Sequence, residues 1–374
     1  MRNLLVGNGI NIQYDNINYT TKNIVLRILT DLDKPDYPCD YIIDQPILLK
    51  HYIGKLFLFA RDMIDGEFDE FVNCSAERKA LEDFKERYSY RKNSLRIADI
   101  GFEDYYLIHD LVCHKSGINN PEQYVVREAM RMAYLNSIYN GGKLNLLYKN
   151  YSDKFKKYLL SFDNIFTTNY DNNIEMVTDK KIHHIHGEFS KLSEIYNPES
   201  LRNQLDDNPL EGIANDPEYM HLHSTAISTY CGDYKQYHIK QGYTANKAVE
   251  KFAEGYLTNE FVRKDIDSWE KVENNLLKNL ANTIKVKVKN PELRFQEDYS
   301  INEFKAIKGK LAILGLSPYN DYHLFEIIDN SNIDECVYFY FDESDCDRIK
   351  SLLSTLKSQK KLSFKSVKEF WGDM

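Results

Sequence analysis

Three residues near the middle of the chain have side chains that could move a proton or hold a water molecule. Asn169 and Asp171 lie in the segment TTNYD, and His186 lies in the segment IHGE. The ordinary pKa of histidine lies close to neutral, so His186 is a candidate general base. An asparagine amide donates and accepts hydrogen bonds without charge, so Asn169 is a candidate for holding a water molecule. Asp171 could orient this loop, while a helix cap at Asp171 and a simple turn at Asn169 are the structural alternatives.

Glycines mark two further turns of interest. Gly7 and Gly9 directly follow an apolar run in MRNLLVGNGINIQYD, and Gly315 follows another apolar run in KLAILGLSPYND. Glycine lets a backbone pass close to a phosphate or turn sharply into a helix. Asn8 and Asn11 add polar side chains beside the first turn. Both a phosphate site and a tight turn therefore explain the glycines.

The segments before these turns predict an α/β fold. Apolar runs predict strands at 3–7, 311–314 and 362–364 and within 163–171, 181–188 and 335–344, whereas three- and four-residue spacing predicts helices over 23–32, 47–64, 121–139, 322–328 and 345–356. This alternation indicates a Rossmann-like parallel sheet with helices on both faces. We expect one domain over 1–374, with helical inserts at 16–160 and 190–308. Ligands of such sheets bind at the carboxyl ends of the strands, so the turns should form one site.

Composition limits the classes of function. The net charge of −9 disfavours broad binding to nucleic acid. No apolar run approaches the roughly 18 residues of a membrane helix, and the first residues lack the pattern of a signal peptide. The six cysteines are scattered and include no Cys-x-x-Cys pair. We therefore expect a cytoplasmic protein without disulfides and without membrane association.

Four turns, in order along the chain, resemble the NAD-binding core of the sirtuin family. VGNGIN stands where sirtuins have a Gly-Ala-Gly-x-Ser turn, and TTNYD stands where they have Thr-Gln-Asn-Ile-Asp. IHGE matches the His-Gly pair that contains their catalytic histidine, and LGLSPYND matches their Gly-Thr-Ser turn. The likeness is confined to these strand ends. It implies a Rossmann-like core that binds NAD.

Two departures from the sirtuin pattern argue against protein deacylation. Sirtuin deacylases have a four-cysteine zinc module after the histidine, but residues 191–308 contain only Cys231. The Phe-Arg pair that follows the first glycine turn in sirtuins is also absent. The pattern instead resembles the sirtuin-like NAD hydrolases of bacterial anti-phage defence, which cleave NAD to nicotinamide and ADP-ribose in abortive infection. Some of these act beside a HerA-like ATPase or an Argonaute-like partner.

This resemblance implies a set of site residues and partners. It implies catalytic roles for Asn169, His186 and Asp171. The NAD contacts that it implies are Gly7, Asn8, Gly9, Asn11, Thr168, Gly315 and Ser317. NAD is then the substrate, and no metal is expected. Because the nicotinamide leaving group is already cationic, the reaction needs no general acid. We expect a homo-oligomer that is activated by, or assembled with, a HerA-like ATPase or an Argonaute-like partner.

Other functions stay open at this point. A non-catalytic module that senses NAD or ADP-ribose for a partner ATPase or nuclease is the main alternative, although such a module needs neither Asn169 nor His186. An ADP-ribosyl transferase, a deacylase and a nucleic-acid enzyme are disfavoured by the missing zinc module, the acidic charge and the lack of clustered carboxylates. Another abortive-infection family has a similar Gly-Asn-Gly start and a His-Gly strand.

Two further patterns favour structural explanations. Strand alternation places His184 and His186 on one face and His183 on the other, without the carboxylate or cysteine spacing of a metal site. We therefore predict no metal there, nor at His221 and His223. In TIKVKVKNP, residues 283–291, three lysines share one face of an extended segment. An edge strand protected by lysines is favoured over a phosphate contact.

Overall fold

The computed structural model describes residues 1–15, 17–119, 122–191, 218–227, 230–291, 299–359 and 361–374. Its strands form a parallel sheet in the order β3-β2-β1-β4-β5-β6. They are β1 (Arg2–Val6), β2 (Asn164–Thr167), β3 (His183–His184), β4 (Lys308–Leu314), β5 (Asn332–Tyr340) and β6 (Leu362–Ser366). This is the strand order of a dinucleotide-binding Rossmann sheet, in which the direction of winding reverses between β1 and β4. The predicted Rossmann-like α/β fold is confirmed.

Helices cover both faces of the sheet. Leu4 and Val6 pack in one hydrophobic cluster with helices of the first insert, whereas Leu5 packs in another cluster with Leu324 and Ile349. Successive side chains of a strand point to opposite faces, so the two clusters lie on opposite sides of β1. Burial on both faces explains why the strands are continuously apolar in the sequence.

The first insert, between β1 and β2, is helical. Its α-helices are α1 (Gly9–Tyr14), α2 (Thr21–Asp31), α3 (Cys39–Ile42), α4 (Pro46–Ile64), α5 (Ser75–Tyr88), α6 (Asp104–Ser116), α7 (Glu122–Tyr139) and α8 (Asp153–Leu160). Short 3-10 helices lie at Asp69–Phe71, Ser89–Ser94, Ile97–Asp99 and Lys143–Asn150. The predicted helices over 23–32, 47–64 and 121–139 correspond to α2, α4 and α7, although Pro121 lies outside the described residues.

The remaining helices follow β2 and the later strands. They are α9 (Glu175–Thr178), α10 (Gly232–Thr258), α11 (Glu260–Trp269), α12 (Asn275–Lys289), α13 (Ile301–Lys305), α14 (Tyr322–Asp329), α15 (Ser344–Leu352), α16 (Ser354–Ser358) and α17 (Val367–Asp373), with a 3-10 helix at Met220–His223. Parts of the predicted second insert, at 192–217, 228–229 and 292–298, lie outside the described residues. No helix of the described chain is long and apolar enough to cross a bilayer.

Two local predictions are wrong. Residues 283–289 are helical in α12 and do not form an edge strand. Ala281, Ile284 and Val286 pack in a small cluster with Val249 of α10 and Ile266 of α11, so tertiary packing overrides the strand-like alternation. The predicted helix over 345–356 is divided into α15 and α16, because the chain leaves helical geometry at the residue between them.

Candidate functional site

The glycine turns after β1 and β4 pack directly against each other. Gly7 donates its N–H to the carbonyl of Leu314 and Gly9 donates to the carbonyl of Gly315, both at 2.9 Å. A Cβ atom on Gly7 would lie 2.5 Å from the Gly315 oxygen, and one on Gly9 would lie 2.5 Å from the Gly315 Cα. We call Gly7, Gly9 and Gly315 the glycine junction. Close approach of two backbones requires its glycines, so the tight-turn explanation applies here.

The side chains beside the junction have different surroundings. Asn8 is exposed and donates from Nδ2 to the Tyr19 carbonyl at 2.8 Å. Asn11 is buried and donates from Nδ2 to Asp171 Oδ2 at 2.8 Å, while its Oδ1 has no hydrogen-bond partner among the described residues. Ser317 is exposed after β4 and accepts from the Tyr319 N–H at 3.2 Å. Asn8 and Ser317 are therefore the junction side chains that face solvent.

Asp171 fastens the loop that follows β2. Its Oδ1 accepts from the Asn173 N–H at 3.1 Å and from Asn173 Nδ2 at 2.7 Å, and its Oδ2 accepts from Asn11. Burial raises the pKa of Asp171, and these hydrogen bonds oppose that rise. The carboxylate links the loop to α1, and it forms a turn with Asn173 instead of capping α9.

Asn169 links the loop after β2 to the glycine junction. Its side chain is buried, with 8% exposed, and Nδ2 donates to the Gly7 carbonyl at 3.4 Å. The neighbouring Thr168 is half-buried, and its N–H donates to the Val6 carbonyl at 3.0 Å. The turns after β1, β2 and β4 are therefore joined at one edge of the sheet, as the sequence predicts.

The three clustered histidines have separate environments. His183 stacks on Phe166 at 4.8 Å between ring centroids. In His184 both ring nitrogens face acceptors, since Nδ1 lies 2.9 Å from the Asn169 carbonyl and Nε2 lies 2.7 Å from Glu175 Oε1. Burial alone would lower the pKa of His184, but Glu175 outweighs burial and raises it. His184 therefore orients the Asn169 loop.

His186 meets residues that follow β4. Its Nε2 lies 3.2 Å from His323 Nε2, and its Nδ1 lies 3.9 Å from Asp321 Oδ1. Both imidazole rings are buried, with 3% and 5% exposed, and their planes differ by 21°. In the sheet, β3 and β4 are separated by β2 and β1, so this contact bridges the position where the winding reverses.

A buried ammonium group lies beside this histidine pair. Lys235 of α10 is 1% exposed, and its Nζ lies 2.8 Å from Glu103 Oε1 and 3.7 Å from Asp321 Oδ1. Burial raises the pKa of Glu103, against the attraction of Lys235. Burial and the Lys235 charge together lower the pKa of His186 well below its ordinary value. Both effects favour the neutral form of the His186 imidazole.

A cavity of about 180 Å³ opens beside Glu103. Its wall includes an ion pair in which Arg87 donates from Nη1 and Nη2 to the two carboxylate oxygens of Asp104, each at 2.7 Å. We call this cavity the polar pocket. Its name also covers Lys235 and Asp321, which do not line the cavity but form ion pairs beside its lining residue Glu103. Neither this cavity nor a larger one of about 420 Å³ is lined by a site residue that the sequence predicts.

Only part of this site is predictable from the sequence. Asp321 lies in the quoted segment LGLSPYND, and His323 follows two residues later, so their position after a strand was a usable signal. Glu103 and Lys235 are single charged residues at the starts of helices in the two inserts, and no spacing marks them.

Comparisons with known proteins identify no relative that could supply a function. No family model, no curated protein and no solved structure matches the chain. The function is therefore argued from the arrangement of the side chains.

Proposed function

We propose that the chain is an NAD hydrolase that releases nicotinamide and ADP-ribose. The observation that carries the proposal is the meeting of loops where the sheet winding reverses. Asn169 bonds Gly7 of the glycine junction, and the buried His186 contacts His323 and Asp321, which follow β4. Rossmann sheets of this strand order bind dinucleotides at that position. The resemblance of the four turns to sirtuin-like NAD hydrolases supports the same substrate.

The reaction needs few catalytic groups. The bond between the ribose C1′ and the nicotinamide nitrogen breaks, and the electron pair leaves with the cationic ring as neutral nicotinamide. A water molecule, oriented by the Asn169 amide, adds to the oxocarbenium-like carbon. His186 accepts the proton of that water and later releases it to solvent. Neither a metal nor a general acid takes part.

The small size of the polar pocket adds a regulatory element to the proposal. Ligand pockets typically measure about 300–1,000 Å³, whereas the cavity beside Glu103 measures about 180 Å³. That volume suits a single ring, so a whole dinucleotide does not fit this cavity in the described arrangement. Such a resting state fits a cytoplasmic enzyme of abortive infection whose NAD cleavage is restrained until it assembles, as a homo-oligomer or with a HerA-like or Argonaute-like partner.

The restricted cavity also favours one alternative function. A module that senses NAD or ADP-ribose would bind its ligand without cleaving it and transmit occupancy to a partner. The Gly9 N–H already bonds the Gly315 carbonyl, so it can bond a ligand only after the junction rearranges. Weak binding before that rearrangement would suit a sensor. Binding of NAD without release of nicotinamide would identify this alternative.

The test follows nicotinamide release from NAD by the purified full chain, alone and with the protein encoded beside it. We expect Asn169→Ala to reduce the rate at least about 100-fold, because water would lose its orienting group. Asn164→Ala is the matched control, since Asn164 lies at the other end of β2 and bonds Asn3. Unchanged hydrolysis by Asn169→Ala, or NAD that stays intact under every activating condition, would contradict the proposal.

A further inference from the structure

The residues around His186 also have the arrangement of a metal site. His186, His323 and Asp321 each offer one ligand atom, and these three atoms lie within 4.8 Å of one another. The ligands come from two segments, one after β3 and one at the start of α14. A bound ion would therefore join the segments that follow β3 and β4, two strands separated in the sheet by β2 and β1. No spacing within one segment reveals such a group.

The separation of the two imidazoles suits coordination. Zinc binds histidine nitrogen at about 2.0–2.1 Å in tetrahedral geometry, which places two such nitrogens about 3.3 Å apart. His186 Nε2 and His323 Nε2 are 3.2 Å apart. At this distance the two nitrogens can share one proton in an N–H···N hydrogen bond. A divalent cation can replace that proton without moving the rings apart.

The charges around the cluster permit a cation. The carboxyl groups of Asp321 and Glu103 both contact the ammonium group of Lys235. Lys235 lies 2.8 Å from Glu103 and only 3.7 Å from Asp321, so it keeps its closer partner when Asp321 turns toward a metal. The Lys235 charge, which opposes a cation at His186, is therefore partly compensated by its carboxylate partners.

We propose that His186, His323 and Asp321 bind one divalent transition-metal ion of the zinc class. Two imidazole nitrogens with one carboxylate suit zinc or cobalt, whereas magnesium and calcium prefer oxygen ligands. The fourth position is left for water or substrate. Binding does not rest on NAD hydrolysis. If His186 is also the base of that reaction, the ion occupies the lone pair that would accept the proton and therefore inhibits cleavage.

The experiment titrates Zn²⁺ into the full chain after dialysis against a chelator, and records the visible absorption of bound Co²⁺ in parallel. We expect one ion per chain and an affinity that falls more than about tenfold in His323→Asn. His51→Asn is the matched control, because His51 is an exposed histidine of α4 outside the cluster. It should bind zinc as the wild type does.

Two measurements keep the result decisive if His323→Asn folds poorly. His323→Cys supplies a thiolate ligand, so it should bind zinc and add a thiolate-to-cobalt absorption band. Circular dichroism reports whether each variant is folded. Absence of binding by the wild type, equal binding by folded His323→Asn, or loss of binding in folded His323→Cys would overturn the metal site, whatever the outcome of the NAD assay.

Discussion

The glycine junction is held together by backbone groups, whereas the polar pocket is held together by buried charges, although both include residues that follow β4. In the junction, the Gly7 and Gly9 N–H groups bond carbonyls of the opposing turn. In the pocket, Lys235 and Arg87 are paired with carboxylates. The motif that is easiest to recognise in the sequence is thus explained largely by packing. Beside it lie buried, ion-paired residues that form no motif in the sequence.

The largest effect should come from His186 itself. Under the proposed function, His186→Asn removes the base and should lower the rate of nicotinamide release by about 10²–10⁴-fold. His183→Asn is the matched control, since His183 lies three residues earlier and stacks on Phe166. We expect its rate to change less than about threefold. Equal losses in both variants would show that the segment matters for folding and would separate His186 from the chemistry.

The second effect concerns the wall of the polar pocket. Arg87→Met leaves the Asp104 carboxylate, which is 2% exposed, without its guanidinium partner. Breaking a buried pair costs about 3–5 kcal/mol of unfolding free energy at pH 7. Urea unfolding followed by circular dichroism measures the loss. Arg96→Met is the control, because the 72%-exposed Arg96 pairs with Asp99 at the surface and should contribute less than about 1 kcal/mol.

The loss in Arg87→Met should depend on pH. Burial alone would raise the pKa of Asp104, but Arg87 outweighs burial and lowers it. A lowered folded-state pKa stabilises the wild type above the unfolded pKa of about 3.9, and this contribution is lost as the pH falls through the folded value. Wild type and Arg87→Met should therefore differ most at neutral pH and converge below about pH 4. A difference that stays constant across this range would mean that Asp104 is neutral in the wild type.

The sequence predicts an element well where a local pattern determines it, and poorly where contacts between distant residues do. Hydrophobic spacing predicts α4 to within one residue, because a helix of 19 residues repeats its apolar face several times. The same reasoning fails for α12, where IKVKVK alternates like a strand and contacts with α10 and α11 decide the outcome. Non-local packing is not visible in a short window of sequence.

The candidate site shows the same limit. Asn169 was predictable because it directly follows a buried strand, and its bond to Gly7 follows from neighbouring parallel strands ending at one edge. Glu103 and Lys235 lie at the starts of two different helices and are 132 residues apart in the sequence. Their ion pair depends on how the two inserts fold against the sheet, which neither composition nor periodicity encodes. The His186–His323 contact is non-local in the same way.

The third effect tests whether packing explains the junction. In Gly9→Ala the new Cβ would lie 2.5 Å from the Gly315 Cα, so we expect a loss of about 1–3 kcal/mol in unfolding free energy. Gly54→Ala is the control, because no heavy atom lies within 4 Å of a Cβ at this position inside α4. That variant should gain about 0.5–1 kcal/mol. If Gly9→Ala unfolds like the wild type, the turns are not in contact and the junction is open to a phosphate.

The smallest effect should come from Asn8, which separates the two explanations of the junction without disturbing its packing. The Asn8 side chain is exposed and bonds the Tyr19 carbonyl, so Asn8→Ala should change the unfolding free energy by less than about 1 kcal/mol. If NAD binds beside the junction, losing one polar contact of about 1 kcal/mol should raise KM about fivefold and leave kcat unchanged. Steady-state kinetics of nicotinamide release checks both constants. A lower kcat would place Asn8 in the reaction itself. An unchanged KM would leave Gly7, Gly9 and Gly315 with a purely structural role, and substrate binding would then be assigned to the polar pocket alone.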